Sequence, residues 1–257
     1  CDSYLSQTGS SVEILDDMDG DGLPDLAIGA TIADTSTAGG VYVLLSSQLA
    51  SLQNGDTLED IAHLRLSGTK EKDGLGAALA SGDFDGDGLT DLAVSALPEA
   101  ISEPGTVYIV FAADLPPAPT SMEIQALAGL IFTGVNGNDG LGTDLAAVGD
   151  LDGDGDEELL ISAPGAESGQ GVAYLVPGFY EVFGYYSIED SFSTTVSPNA
   201  TSAVRFVGGV TDALRSVGGV GDLNNDGEMD LLFGAPGHSN GVYAKSGAAY
   251  IVYGGAS

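Results

Sequence analysis

Tryptophan is absent from the 257 residues, cysteine occurs once, histidine twice, and lysine and arginine together only six times. Each shortage excludes something. With Cys1 as the only thiol, no internal disulfide can form. Six basic residues against 38 acids give a formal net charge of -32, which repels nucleic acid and anionic membrane surfaces and removes both as partners. No apolar run reaches the ~20 residues that a membrane-spanning helix needs, and no signal peptide stands in the sequence. An N-terminal cysteine fits a chain cut at a domain edge, the favoured account, and also a processed chain carrying a lipid anchor on Cys1. What remains is acid and glycine. The acidic surplus points to bound cations, a saline habitat, or both. The 39 glycines, among many short apolar runs and with 43% hydrophobic residues, read as a globular all-β chain full of turns. Its length allows one large domain or two modest ones.

The chain repeats itself four times. "DDMDGDGLPDLAIGA" (16–30), "GDFDGDGLTDLAVSA" (82–96), "GDLDGDGDEELLISA" (149–163) and "GDLNNDGEMDLLFGA" (221–235) align without gaps, their first acids being Asp17, Asp83, Asp150 and Asp222. The periods are 66, 67 and 72 residues. Small-residue stretches precede the acidic segments, as in "DGLGAALASGD" (73–83). Runs rich in Val and Tyr follow them: "GGVYVLL" (39–45), "GTVYIVF" (105–111), "QGVAYLV" (170–176) and "GAAYIVY" (247–253). Between units comes one more apolar run ending in Gly: "AHLRLSGT" (62–69), "AGLIFTGV" (128–135) and "AVRFVGGV" (203–210). Each unit therefore reads as four short strands, A before the acidic loop, B after it, C the Val/Tyr run and D the run ending in Gly.

The prediction is a single repeat region over 1–257, with units of approximately 1–61, 62–127, 128–202 and 203–257. The fold class is an all-β propeller of four-stranded antiparallel blades, favoured over a solenoid, whose units are usually shorter. In that picture "LAVSA" is an inner strand. Helical turns are expected at most near 46–52 and 121–127. The inserts at 112–121 and 181–203 read as loop excursions on one face.

The acidic loops carry the chemistry. In Asp83-Phe84-Asp85-Gly86-Asp87-Gly88-Leu89-Thr90-Asp91 the acids at positions 1, 3 and 5 point inward if the backbone coils tightly. Gly88 at position 6 permits the bend. Position 7 can offer its carbonyl, and Asp91 at position 9 closes the sphere. Six or seven hard oxygen ligands suit Ca²⁺ better than the smaller octahedron of Mg²⁺. Without a cation the crowded carboxylates repel one another. A solvated acidic turn is the plain alternative for one such loop, and four in register argue against it. An EF-hand is excluded, because position 12 is Ile28, Val94, Ile161 or Phe233 where that motif needs Glu.

These loops, with the upstream "DGLGAALA" and "DGLGTDLA" and the downstream "LAIGA", "ISAPGA" and "LFGAPG", resemble FG-GAP repeats. Such repeats build the N-terminal β-propeller of integrin α subunits and occur in bacterial surface proteins. The resemblance spans nearly the whole chain. It implies about four Ca²⁺ ions per chain, each held through loop positions 1, 3, 5, 7 and 9. Loop one would use Asp17, Asp19, Asp21, the Leu23 carbonyl and Asp25. Loop two would use Asp83, Asp85, Asp87, the Leu89 carbonyl and Asp91. Loop three would use Asp150, Asp152, Asp154, the Asp156 carbonyl and Glu158. Loop four would use Asp222, Asn224, Asp226, the Glu228 carbonyl and Asp230.

The sequence also departs from the pattern. Glu158 is longer than Asp, and Asn224 carries no charge, so loop four should bind more weakly. The Phe-Gly of the family appears as Leu-Gly at 75–76 and 141–142, and the first unit has neither. Integrin-like propellers have seven blades. Here four units and three D strands are visible, as expected of a fragment of a larger propeller or of an incomplete ring that exchanges strands.

Nothing here assembles an enzyme. His63 reads as packing or edge surface, and His238 has no acid at a spacing that completes a triad. Fifteen of the 38 acids fall at ligand positions, so paired carboxylates need no catalytic account. Asn199-Ala-Thr201 fits a glycosylation sequon and reads as polar loop. Tyr185 and Tyr186 read as a satellite core under the longest insert.

The expectation is a non-enzymatic, extracellular or cell-surface binding or adhesion module, its calcium structural and its partner a protein or glycan bound by the 181–203 insert. Alternatives are a strand-exchanging structural subunit that pairs with copies of itself or with further blades, and the accessory propeller of a larger secreted enzyme.

Overall fold

The structure is a computed structural model and describes residues 7–31, 38–100, 102–178, 184–187 and 204–254. In the first unit β1 (Thr8–Leu15), β2 (Asp25–Ala30) and β3 (Gly40–Leu44) form an antiparallel meander. Two short helices follow, α1 (Ser46–Leu49) and α2 (Leu58–Ile61), before β4 (Leu64–Ser67) pairs with the far side of β3. The second unit repeats this with β5 (Leu75–Gly82), β6 (Asp91–Ala96) and β7 (Thr106–Val110). Its insert contributes β8 (Thr120–Glu123), and β9 (Leu130–Thr133) closes the sheet against β7. The third holds β10 (Leu145–Ala147), β11 (Leu159–Ala163), β12 (Val172–Val176), the insert strand β13 (Gly184–Ser187) and β14 (Val204–Val207). The fourth holds β15 (Ser216–Gly219), β16 (Leu231–Ala235) and β17 (Ala248–Val252).

The A-B-C-D order is thus present in three sheets, and the fourth has A, B and C among the described residues. One feature was not anticipated. Strand β8 leaves its own unit and pairs in parallel with β4 of the preceding sheet, and β13 does the same with β9. The sheets therefore contain five, five, four and three strands. The helical turn expected at 121–127 is present as a 3-10 turn at Ile124–Ala126, and the residues before it form strand β8. The turn expected near 46–52 is α1. Most of the insert at 181–203, including the Asn199 sequon, lies outside the described residues, as do Cys1 and the side chains of Tyr185 and Tyr186.

Neighbouring sheets pack face to face, with β1 against β5, β5 against β10 and β10 against β15. Three apolar clusters fill the gaps. Leu15, Val43, Leu66 and Val94 lie between the first and second sheets. Val107, Phe132, Ile161 and Tyr174 lie between the second and third, and Leu160, Leu175, Phe206 and Phe233 between the third and fourth. This explains the continuous apolar runs of the B and C strands in the two middle sheets, where both faces meet another sheet. All of β6 and all of β12 are buried. The arrangement is the expected β-propeller, with the A strands innermost. "LAVSA" is therefore the second strand of its sheet, and β5 occupies the inner position.

The Leu-Gly pairs have a packing role. Leu75 and Leu141 are buried, while Gly76 lies so close to the first sheet that a Cβ would come within 2.5 Å of the Gly40 carbonyl oxygen. Ser11 Oγ donates to the Gly76 carbonyl at 2.8 Å across the same contact. The fourth unit has Leu214-Arg215 at the equivalent place.

Candidate metal centres

The A–B loops coil as their sequence demands. In each, the position 3 side chain accepts the position 5 N–H: Asp21 to Asp19 at 3.2 Å, Asp87 to Asp85 at 3.3 Å, Asp154 to Asp152 at 3.1 Å and Asp226 to Asn224 at 2.9 Å. The position 5 carboxylate accepts the position 7 N–H of Leu23, Leu89, Asp156 and Glu228 in turn. Position 6 is glycine with positive φ in all four loops, as at Gly88 (φ 87). Its N–H donates to the position 1 carboxylate of Asp17, Asp83, Asp150 or Asp222.

Three loops gather their carboxylates. Oxygens of Asp17, Asp19 and Asp25 lie within 4.8 Å of one another, as do those of Asp83, Asp85 and Asp91, and those of Asp150, Asp152, Asp154 and Glu158. Asp21 and Asp87 are not in these groups. Asp21 Oδ2 is turned to Ser46 Oγ at 2.5 Å. In loop four the carboxylates do not gather in this way among the described residues, and Asn224 Nδ2 donates to Asp226 Oδ2 at 2.8 Å. A neutral amide has taken up a carboxylate lone pair there.

Position 9 does more than close a sphere. Asp25, Asp91 and Asp230 are almost wholly buried. One oxygen of each accepts the position 2 N–H, from Met18, Phe84 and Leu223. The other accepts an N–H just past strand C, from Ser46 at 2.7 Å, Ala112 at 2.8 Å and Gly254 at 3.0 Å. Each aspartate therefore ties its loop to the end of strand C in its own sheet, and each oxygen keeps a second lone pair for a cation. Glu158 breaks this symmetry. Its Oε2 accepts the Leu151 N–H, but the longer side chain leaves Oε1 buried without a hydrogen-bond partner among the described residues.

Asp83 Oδ1 is likewise buried and without a partner. Buried carboxylate oxygens with nothing to accept are costly. Two such oxygens, each inside a convergent acidic group, fit a hard cation bound through oxygen alone. The electrostatics agree. Burial, aided by the charges of Asp85 and Asp87 and opposed by hydrogen bonds from Ala112 and Phe84, pushes Asp91 up to about 8. Burial and the charges of Asp152, Asp154 and Asp150 push Glu158 up to about 8. Burial likewise raises Asp25, Asp85 and Asp152.

The loops also touch each other, which the sequence did not reveal. Position 8 of one loop docks on the loop before it. Thr90 pairs with Asp17 of loop one, and the Glu157 N–H donates to the Asp83 carbonyl at 2.8 Å. Met229 lies over Gly149, where a Cβ would come within 3.1 Å of Met229 Cε. Thr, Glu and Met share no chemistry, so no pattern in the repeat marks the position.

The sequence profile of the FG-GAP repeat matches residues 8–44, 75–110, 141–176 and 215–252, more than half of the chain. The chain belongs to the FG-GAP repeat family. Each matched segment runs from strand A to strand C, so every acidic loop lies inside one. Among curated relatives, bovine phosphatidylinositol-glycan-specific phospholipase D is 29% identical over 226 residues, covering 86% of this chain and 25% of that protein. The human protein of that name is 31% identical over 230 residues, covering 87% and 26%. Integrin alpha-5 of Xenopus laevis is 31% identical over 175 residues, covering 65% and 16%. The FG-GAP chain thus spans about a quarter or less of these relatives. Since one is named as a phospholipase and another as an integrin subunit, likeness alone does not say whether the whole protein is an enzyme.

The two histidines fall differently. His63 is buried in packing, its Nε2 on the Pro116 carbonyl at 2.7 Å, as expected. His238 does have an acid, Asp212, 26 residues upstream and 2.8 Å from Nδ1. Sequence spacing missed it because the two residues lie on different loops. Among the described residues no helix is long and apolar enough to cross a membrane.

Proposed function

We propose that this FG-GAP chain is an extracellular or cell-surface, calcium-stabilised propeller that acts as a non-enzymatic binding or adhesion module. The observation that carries this reading is the convergence of carboxylates in three loops, with the orphaned oxygens of Asp83 and Glu158 inside two of them. Calcium would neutralise these groups and stabilise the folded state by linkage. Asp17, Asp19 and Asp25, Asp83, Asp85 and Asp91, and Asp150, Asp152, Asp154 and Glu158 would hold three ions. Asp21, Asp87 and the carbonyls of Leu23, Leu89 and Asp156 would complete their shells. Asp222, Asn224, Asp226, the Glu228 carbonyl and Asp230 would hold a fourth, more weakly. Millimolar external calcium fills such sites, whereas a resting cytosol leaves weak ones empty. Likeness to an integrin subunit supports a protein or glycan partner. The net charge of -32 argues against nucleic acid.

Native mass spectrometry with and without a chelator tests this. About four calcium ions per chain are expected, with a large fall in thermal midpoint on chelation. Fewer than two ions, or an unchanged midpoint, would overturn it.

Two alternatives have support of their own. The fourth sheet has three strands among the described residues, and Ile251 on β17 is 47% exposed where all of β12 is buried. That favours a structural subunit whose open edge takes a strand from another copy or from further blades. A monodisperse monomer in calcium by light scattering would count against strand exchange. The match to a quarter of a phospholipase favours an accessory propeller of a larger secreted enzyme.

A further inference from the structure

The fourth unit differs from its siblings at one buried aspartate. Asp73, Asp139 and Asp212 occupy the same place before strand A of their units, and all three are buried. Asp73 accepts from Thr69 N–H and Oγ1, both at 3.0 Å, and Asp139 from Asn136 Nδ2 at 3.0 Å. In those units the carboxylate braces its own loop with a local side chain. The corresponding stretch before Asp212 is Gly208-Gly209, which has no side-chain donor. Asp212 takes the Gly209 N–H at 2.9 Å and reaches outward for the rest. Its Oδ1 accepts from His238 Nδ1 at 2.8 Å and its Oδ2 from the Tyr250 hydroxyl at 2.7 Å. The third unit has Ala166 where the fourth has His238.

With Nδ1–H given to a buried carboxylate, the imidazole is held in the tautomer whose Nε2 is an acceptor. Beside it opens a cavity of about 590 Å³, within the range of small-ligand sites. His238, Asp212 and Tyr250 line its polar end, and Phe206, Val207 and Val252 its apolar walls. Asp212 and His238 lie on loops at the opposite end of the strands from the acidic A–B loops.

A free imidazole acceptor beside apolar walls points to a ligand class. A sugar would press several hydroxyls against Val and Phe with no partners, at a cost. An anion would meet Asp212 and a chain of net charge -32, and the one basic side chain in the lining, Arg205, is already paired with Glu167. A ring with one hydroxyl donor fits. We propose that the fourth unit carries a binding site for a neutral or cationic phenolic ring. The ring fills the cavity and its O–H donates to His238 Nε2, oriented by Asp212 and Tyr250. A tyrosine side chain of a protein partner and a free phenol share this chemistry.

The test is a titration of the full chain in calcium, followed by the ring resonances of His238 and Phe206 in NMR, with Phe206 as the reporter where His238 is replaced. The probes are 4-methylphenol, 4-methylanisole (the same ring without the donor), tyramine, 4-hydroxyphenylacetate and N-acetyltyrosinamide. We expect saturable shifts with 4-methylphenol, binding roughly tenfold weaker with 4-methylanisole, and tyramine tighter than 4-hydroxyphenylacetate. His238→Ala should erase the difference between the first two probes, and Tyr250→Phe should reduce it several-fold. Unchanged thermal midpoints in calcium show that these variants fold. Should His238→Ala fail to fold, the probe pair on the parent chain still decides. Tighter binding of N-acetyltyrosinamide than of 4-methylphenol assigns the ring to a protein partner, and the reverse assigns it to a free phenol. Equal affinity for 4-methylphenol and 4-methylanisole, or no shift at His238 up to their solubility limits, would overturn the proposal.

Discussion

Thr90 and Asp17 hold each other across two sheets. The Thr90 N–H donates to the Asp17 carbonyl at 2.9 Å, and the Asp17 N–H donates to Thr90 Oγ1 at 3.1 Å. One residue of the second acidic loop thereby fixes position 1 of the loop before it. Thr90→Val keeps the shape and orphans the Asp17 N–H, a loss of about 1 kcal/mol in a part-buried setting. Calcium titration should show weaker binding in loop one and unchanged binding in loop three. Equal weakening in both would mean that the link is only a matter of global stability.

Asp91 separates structural from ionic roles. Asp91→Ala orphans the buried N–H groups of Phe84 and Ala112, each worth ~1–3 kcal/mol, so it should destabilise the protein with or without calcium. Asp91→Asn keeps one acceptor, carries no charge and sets its NH2 against the other N–H. Without calcium it should cost less than Asp91→Ala, and the stabilisation that calcium adds should be lost in both variants. Urea midpoints in the two buffers check the contrast.

The raised carboxylates give the cation-free protein a signed pH dependence. Asp91 and Glu158 are pushed from ordinary carboxylate values up to about 8. Between those limits the folded chain keeps protons that the unfolded chain releases. This contribution to stability is fully present below the unfolded values and is lost as pH rises through about 8. In calcium-depleted buffer the thermal midpoint should fall between pH 5 and pH 8.5. Saturating calcium, which takes the place of those protons, should flatten or reverse the trend.

Asn224→Asp should strengthen the fourth loop. It replaces an amide that donates to Asp226 with a carboxylate that can face a cation. Ligand charge is a main determinant of calcium affinity in such loops, so roughly tenfold tighter binding is expected there. Native mass spectra at low calcium should gain one retained ion per chain.

Much of this was legible in the sequence because the repeats made the pattern redundant. Four copies of one loop fixed where the acids and bend glycines fall, and the apolar runs beside them fixed strands B and C. Besides the docking of one acidic loop on the next, two things stayed hidden. Strands β8 and β13 pair with a neighbour's edge, and nothing local in "TSME" or "GYYS" says which edge. The Asp212–His238–Tyr250 network joins residues from three separate segments. A substitution pattern signals it, since Gly208 and Gly209 replace the local donors, but its meaning appears only once the loops are seen side by side.

The reach of β8 and β13 onto the preceding sheets changes what counts as a separable piece. The first two units overlap with the next like roof tiles, the outer strands β4 and β9 each paired with backbone from the following unit. Peeling one away must break a backbone ladder as well as an apolar contact. A cut between repeats at residue 70 would strip β4 of its cover, so the smallest piece that keeps its first sheet intact extends to Glu123.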